Sequence, residues 1–167
     1  MEKLRKWHVV YTKPKWEKKV DLNFAQKGIE SWCPTQKKER QWSDRKKIIE
    51  EPLFKSYVFV KATKEEYTNV LSTMGVVRFL YFEKKPAIIR DNEIELIRKY
   101  LGLSYANIQV VDLGPIKPQT KVAVNNGLFM GQRGEVVKAD KKSVYVRLDS
   151  INMMMIVEFK LEEISLI

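Results

Sequence analysis

The chain has 167 residues, enough for one ordinary domain or two small ones, and its 44% hydrophobic content suffices for a buried core. With 31% charged and 11% aromatic residues it does not read as a disordered chain, and no apolar run approaches the roughly 18 residues of a membrane span. A single cysteine, Cys33, excludes an internal disulfide framework. The basic N-terminus, MEKLRKWHVVYTK, has too short an apolar run for a signal peptide, so a cytoplasmic location is predicted. The net charge of +10 is concentrated early: residues 1–50 hold 14 Lys and Arg against 7 Asp and Glu. Such a basic first third points to a polyanionic partner, most often nucleic acid.

In chain order, WHVVYTK (7–13) reads as a strand, and Pro14 is placed to open a helix through KWEKKVDLNFAQKG that Gly28 stops. Trp16, Val20 and Phe24 recur every four residues and form its inward stripe, with Lys15, Lys18 and Lys19 outside. IESWCPTQKKERQW is extended, and SDRKK (43–47) is a basic hairpin tip. The next strand, YVFV (57–60), is apolar on both faces, so both faces require cover. TKEEYTNVLSTMG (63–75) predicts a second helix with Thr63 as N-cap and Gly75 as stop. VVRFLYF (76–82) is a further strand, followed by a third helix capped by Asp91. The order β-α-β-β-α-β-α predicts an α+β fold, helices packed on an antiparallel sheet.

Residues 103–117 have no helical period and contain a Gly-Pro break, the character of a linker between a first domain at 1–102 and a second at 118–167. From Thr120 onward, short β-rich runs (KVAVNNG, RGEVVKAD, SVYVRLDS, MMMIVEF, EEISLI) alternate with turn signals, which predicts a small five-stranded β-barrel. INMMMIVEF is also compatible with helix, because periodicity cannot decide so short an apolar run.

The chemistry of an enzyme is absent from these patterns. His8 is the lone histidine and sits in an apparent strand, where a packed or edge role is the ordinary one. Cys33 has no partner at metal-ligand spacing and reads as a small core residue. GLFMGQRG (127–134) lacks both the strand-loop-helix context and the following Lys-Ser/Thr of a phosphate-binding loop. Glu50-Glu51, Glu65-Glu66 and Glu162-Glu163 read as solvated element ends. No catalytic residue, metal or cofactor is predicted.

Five ordered segments carry a resemblance. WHVVYTKPKWEKKV, CPT, PLFKSYVFVKA, GVVRFLYFEKKPAII and the EIELI helix resemble the N-terminal domain of the NusG family of transcription elongation factors. VNNGLFMGQRGEVV (124–137) resembles the KOW motif of that family's C-terminal barrel. EEPLFKSYVFV and PAII are similar to the specialised branch typified by RfaH. GIESWCPT and WSDRKKIIEEPLF look like the UpxY-type antiterminators encoded with surface-polysaccharide operons, the housekeeping NusG factor being the alternative. A KOW-containing ribosome- or RNA-binding protein is a further alternative. The chain departs from the family at Lys55-Ser56, where Pro-Gly or Pro-Asn commonly follows the phenylalanine.

The resemblance implies a non-catalytic monomer that binds RNA polymerase and suppresses pausing and termination. The polymerase contacts would be the β′ clamp helices, against Val9, Tyr11, Phe54, Tyr57 and Phe59, and the β gate loop on the far side. At least two of Tyr11, Phe54, Tyr57 and Phe59 would face the partner. Non-template DNA in the transcription bubble would meet Lys13, Lys19, Ser72 and Thr73, with added contacts from Lys15 and Lys18, while Arg45, Lys46 and Lys47 reach upstream duplex. The second domain would recruit ribosomal protein S10 or Rho.

Overall fold

The structure, a computed structural model, describes residues 4–102, 107–112, 136–139 and 143–158. It divides into two compact units, Met1–Ile89 and Arg90–Ile167.

The first unit is built on a four-stranded antiparallel sheet. Strand β1 (Lys6–Thr12) leads through a turn to helix α1 (Glu17–Gln26), and β2 (Ser31–Trp32) follows. A hairpin of β3 (Thr35–Gln41) and β4 (Lys46–Pro52) stands as its own two-stranded sheet. Then come β5 (Tyr57–Ala62), a 3-10 turn over Lys64–Glu66, α2 (Tyr67–Leu71), β6 (Val76–Phe79), and a small hairpin of β7 (Tyr81–Phe82) and β8 (Lys85–Pro86). The main sheet runs in the order β2-β5-β1-β6.

One face of this sheet carries the core. Val10 lies opposite Val58 on one side and Phe79 on the other, so the three share a face. That face packs with Val20 and Phe24 of α1, Val70 of α2 and the buried Cys33, and Trp16 lies partly buried against the cluster. The four-residue stripe expected along α1 is therefore the stripe that is buried. Burying a phenylalanine such as Phe24, fully enclosed here, stabilises the fold by about 1.5–3 kcal/mol.

Three local expectations need adjustment. Helix α1 begins at Glu17 rather than at Pro14, because Pro14 and Lys15 form a turn in which Lys15 adopts φ +66, outside helical space. The second helix opens as a 3-10 turn: Thr63 and Glu66 form a capping box there, and only Tyr67–Leu71 is α-helical. Asp91 is the first residue of the third helix, not its cap, which is Arg90.

The second unit contains α3 (Asp91–Leu101), β9 (Asn107–Asp112), β10 (Val136–Ala139), β11 (Ser143–Leu148), a 3-10 turn over Asp149–Ile151, and β12 (Met153–Glu158). Its strands form one antiparallel sheet in the order β10-β11-β12-β9. Among the described residues the sheet is not closed into the predicted barrel: β10 and β9 are the two edges of an open sheet and do not pair with each other. The fourth place is taken by β9, from the stretch read as linker. INMMMIVEF resolves as strand, because β12 is hydrogen-bonded along its length to β11 on one side and β9 on the other. Its alternation fits: Met153, Met155 and Val157 are buried while Met154 and Ile156 are only partly so. The KVAVNNG and EEISLI runs lie outside the described residues, as does the KOW-like segment apart from Val136 and Val137.

Within this unit α3 is tied to the turn after β11 by a buried carboxylate. Glu93 accepts hydrogen bonds from Arg90 Nε at 2.6 Å, from the Ser150 hydroxyl at 2.6 Å and from the Ser150 amide at 3.3 Å. Arg90 also lies 3.6 Å from Asp149, which pairs with Arg147 at 2.8 Å. Full burial of a carboxylate is tolerable only with such partners.

Candidate functional site

The face of the main sheet away from α1 and α2 is aromatic. Antiparallel register sets Val9 opposite Phe59, Tyr11 opposite Tyr57, Trp7 opposite Lys61, and Trp32 opposite Phe59. Phe54 meets Phe59 edge-on at 5.3 Å, and Tyr11 meets Tyr57 at 4.7 Å, with a 3.2 Å hydrogen bond between the two hydroxyls. Arg78 of β6 lies over the Tyr11 ring at 4.6 Å, and Lys61 over Trp7 at 5.8 Å. All five residues assigned to polymerase binding thus come together. Their exposure differs: Val9, Phe54 and Phe59 are buried, at 0%, 2% and 0%, whereas Tyr11 and Tyr57 are half-buried. Trp7, Trp32, Lys61 and Arg78 join the same face. The signal that would have found them is parity, since residues paired across antiparallel strands point to one side.

The turn that delivers Tyr57 into β5 explains how Lys55-Ser56 stands where glycine or asparagine is common. Ser56 adopts φ +65, the left-handed region those residues enter most easily. Its amide donates to Glu17 Oε1 at 2.9 Å, and its carbonyl accepts from the Thr12 amide at 2.9 Å. Glu17, itself buried, therefore binds the first turn of α1 to the aromatic face. Nothing local in the sequence marks Glu17 for this role, because its partner Ser56 lies 39 residues away.

The basic residues form a second cluster around the start of α1. Lys13 and Lys19 approach the Trp16 ring at 5.5 and 4.8 Å. Lys15 is exposed at the turn, and Lys18 reaches over to donate to the Glu50 carbonyl at 2.6 Å. Ser72 and Thr73 sit at the end of α2, but their hydroxyls are engaged. Lys27 Nζ donates to the Asn69 carbonyl at 2.8 Å, to the Ser72 hydroxyl at 3.2 Å and to that of Thr73 at 3.1 Å. Thr73 is almost fully buried, while Ser72 remains exposed. Arg45, Lys46 and Lys47 stand apart at the exposed hairpin tip, where Lys46 lies 3.9 Å from Glu39 and Lys47 over the ring of Trp42 at 5.5 Å.

His8 and Cys33 belong to the framework. His8 is buried between the Ala87 carbonyl, 2.9 Å from Nδ1, and the Tyr67 hydroxyl, 3.1 Å from Nε2. Desolvation lowers its pKa below the usual imidazole value, against the opposing pull of backbone carbonyls. Burial pushes the Cys33 thiol up to about 12, so it is neither a nucleophile nor a ready ligand. Among the described residues no group of three or more His, Cys, Asp or Glu side chains could hold a metal ion, and no helix is long and apolar enough to cross a membrane.

Comparison with known proteins shows the family. The family model described as NusG, transcription termination factor, matches residues 5–98, which span β1 through most of α3. The chain belongs to the NusG family. Among its relatives, the transcription termination/antitermination protein NusG of Streptococcus pyogenes is 29% identical over 173 residues, covering 95% of this chain and 94% of its own. The protein of the same name from Borreliella burgdorferi is 23% identical over 153 residues, covering 81% and 83%. A solved structure of Thermotoga maritima NusG aligns with 95% of each chain at 23% identity and a TM-score of 0.49. NusG-family proteins are non-catalytic transcription factors, and this member is no enzyme.

Proposed function

We propose that this NusG-family chain is a general transcription elongation factor that binds RNA polymerase and the DNA of the transcription bubble. The observation that supports it best is the aromatic face opposite the helix-covered core. A sheet this small already has its core on one side, and the Tyr11-Tyr57 pair leaves half-exposed rings with hydroxyls at the rim of the other. Tyrosine suits an interface because it offers a large, stiff contact area with a polar edge. The β′ clamp helices of polymerase are the proposed partner of Tyr11 and Tyr57, backed by Val9, Phe54 and Phe59, with the β gate loop on the far side. Lys13, Lys15, Lys18 and Lys19, with exposed Ser72 and the neighbouring Thr73, would border the displaced DNA strand, and Arg45, Lys46 and Lys47 the upstream duplex. The factor need touch no reacting atom. By binding the elongating state more tightly than the paused one, it shifts the population toward elongation. The C-terminal unit would recruit a further partner, ribosomal protein S10 or Rho.

The narrower reading, an operon-specific antiterminator of the RfaH and UpxY type, rests on the EEPLFKSYVFV and PAII segments for RfaH and on GIESWCPT and WSDRKKIIEEPLF for UpxY. The relatives matched carry the general NusG name, which favours the general factor. Retention of polymerase on the immobilised chain tests the core of the proposal. Tyr57→Ala and Tyr11→Ala should each weaken it by about 5- to 100-fold, the range common for aromatic anchors. Wild-type retention by both variants would overturn the assignment of the face. Genome-wide occupancy then separates a general factor, found across transcription units, from one confined to a single operon.

A further inference from the structure

We infer that Trp42, at the tip of the β3–β4 hairpin, is a stacking platform for an unpaired nucleobase of DNA. This deepens the proposed function and rests on its assignment of DNA as a partner, but it names a contact which that reading does not contain.

The hairpin is narrow at its end. The Trp42 amide donates to the Arg45 carbonyl at 2.8 Å and the Arg45 amide returns to the Trp42 carbonyl at 3.3 Å, so only Ser43 and Asp44 close the loop. Trp42 is thereby held at the last rung rather than on a mobile loop. Its side chain is 53% exposed, far more than an indole packed in a core, and Ile48 nearby is 70% exposed. Tryptophan is the costliest side chain to leave in water by area, and the hairpin has no core of its own to receive it.

Register decides what surrounds the indole. Lys38 pairs with Ile49, Glu39 with Ile48 and Arg40 with Lys47, so Lys38, Trp42, Lys47 and Ile49 share one face, and Glu39, Lys46 and Ile48 share the other. On the Trp42 face Lys38 and Lys47 stand beside Ile49, and Lys47 Nζ sits 5.5 Å from the ring centroid. Residues 42–48 hold three cations against one carboxylate, Asp44. The carboxylates nearest in the strands, Glu39 and Glu50, lie on the opposite face.

An exposed indole flanked by cations fits a single-stranded nucleic acid better than a duplex or a protein. A base stacks on the ring through its π-face whatever its identity, and the phosphates on either side meet Lys47 and Arg45. A base inside a duplex presents no free face. An acidic protein surface would satisfy the cations but leave the indole without a partner of matching shape. At the edge of a bubble, paired DNA meets unpaired DNA, and a tip of this width with a stacking residue and phosphate-binding side chains can occupy that junction.

The test uses the full-length chain and three fluorescent probes, namely a single-stranded deoxythymidine oligonucleotide, a duplex with an unpaired bubble, and the fully paired duplex. Trp42→Ala should weaken binding to the first two by about 5- to 100-fold, the measured range for one stacked base, and leave the paired duplex within twofold. Trp42→Phe, which keeps an aromatic face, should retain most of the affinity. Trp42→Leu, which keeps apolar bulk without one, should not. Equal losses on all three probes, full affinity in Trp42→Leu, or tighter binding of an RNA oligonucleotide than of its DNA counterpart would each overturn the inference. Polymerase retention is read separately. Its loss in Tyr57→Ala with stacking intact, or the converse, tells failure of one proposal from failure of the other.

Discussion

Ser56 and Glu17 are where a single side chain has most leverage on the proposed polymerase face. A serine at φ +65 is strained, and the Glu17 carboxylate offsets that strain by receiving the Ser56 amide in a half-buried site. Glu17→Ala should therefore destabilise the protein by about 1–3 kcal/mol, through a half-buried donor left without its acceptor. Ser56→Gly should stabilise it by up to about 1 kcal/mol, because glycine enters the left-handed region freely. Urea unfolding of the two variants checks both signs, and a stabilised Glu17→Ala would contradict this account. His8 gives a pH dependence. Its folded pKa lies below the ordinary 6.5 because burial disfavours the imidazolium. The unfolded chain then binds the proton more readily, so this contribution to stability is complete above pH 6.5 and is lost as pH falls through 6.5 toward the folded value. His8→Gln should flatten the slope of unfolding free energy against pH just below 6.5; an unchanged slope would place the titration elsewhere. The framework role of His8 was legible because a lone histidine in a strand has few other uses. Ser56 was legible only as an anomaly, since sequence marks a departure from a motif but not the carboxylate 39 residues away that accommodates it.

At the scale of elements, glycine marks the places where two of them approach closely. Gly75 lies at φ +94 in the turn between α2 and β6, and a Cβ there would lie 2.7 Å from both Trp16 and Val20 of the α1 stripe. Gly75→Ala thus combines a backbone penalty with overpacking, and a loss of about 2–4 kcal/mol is expected in thermal or urea unfolding. A near-neutral result would mean that Trp16 can swing aside. The sequence reads Gly75 as the helix stop, whereas α2 ends at Leu71 with Ser72 as its C-cap. The stripe on α1, the Thr63 cap and the hairpin tip were legible, since each depends on residues close in sequence. What escaped was the length of α2 and the start of α1. In both cases a tertiary demand set the boundary: Lys15 at positive φ belongs to the turn joining β1 to the helix, and the capping box closes on a 3-10 turn. Short apolar runs are ambiguous for the same reason. MMMIVE is strand because Val144 to Leu148 and Ile108 to Asp112 lie ready on either side, and no property of the six residues themselves decides it.

At the scale of the whole molecule, sheet closure is what sequence could not supply. Alternation and turn spacing mark β11 as a strand with its apolar face but miss β9, which reads as linker, and closure depends on strand tilt and on the stagger of register around a ring. In the described residues the stagger leaves β9 and β10 as free edges. Charge, by contrast, was legible at this scale, and it carries the last prediction. Part of the excess of cations in the first fifty residues lies at the start of α1, where Lys13 and Lys19 both lie against Trp16, and part on the β3–β4 hairpin. Two roles compete for them. As phosphate contacts, each releases condensed counterions when DNA binds, so removing both should lower affinity for bubble DNA and reduce the salt slope by about 1.4–1.8. As cation–π partners, each contributes about 0.5–1 kcal/mol to holding the Trp16 ring, and removing both should instead lower stability with the salt slope intact. Lys13→Ala combined with Lys19→Ala distinguishes them when DNA affinity is measured across a salt series beside thermal unfolding. We expect a flattened slope, a small loss of stability and unchanged retention of polymerase, because the lysines lie on α1 and the turn before it while the tyrosine pair sits on the other face of the sheet. An unchanged slope would leave these lysines as supports for Trp16 and move the DNA contact to the hairpin tip.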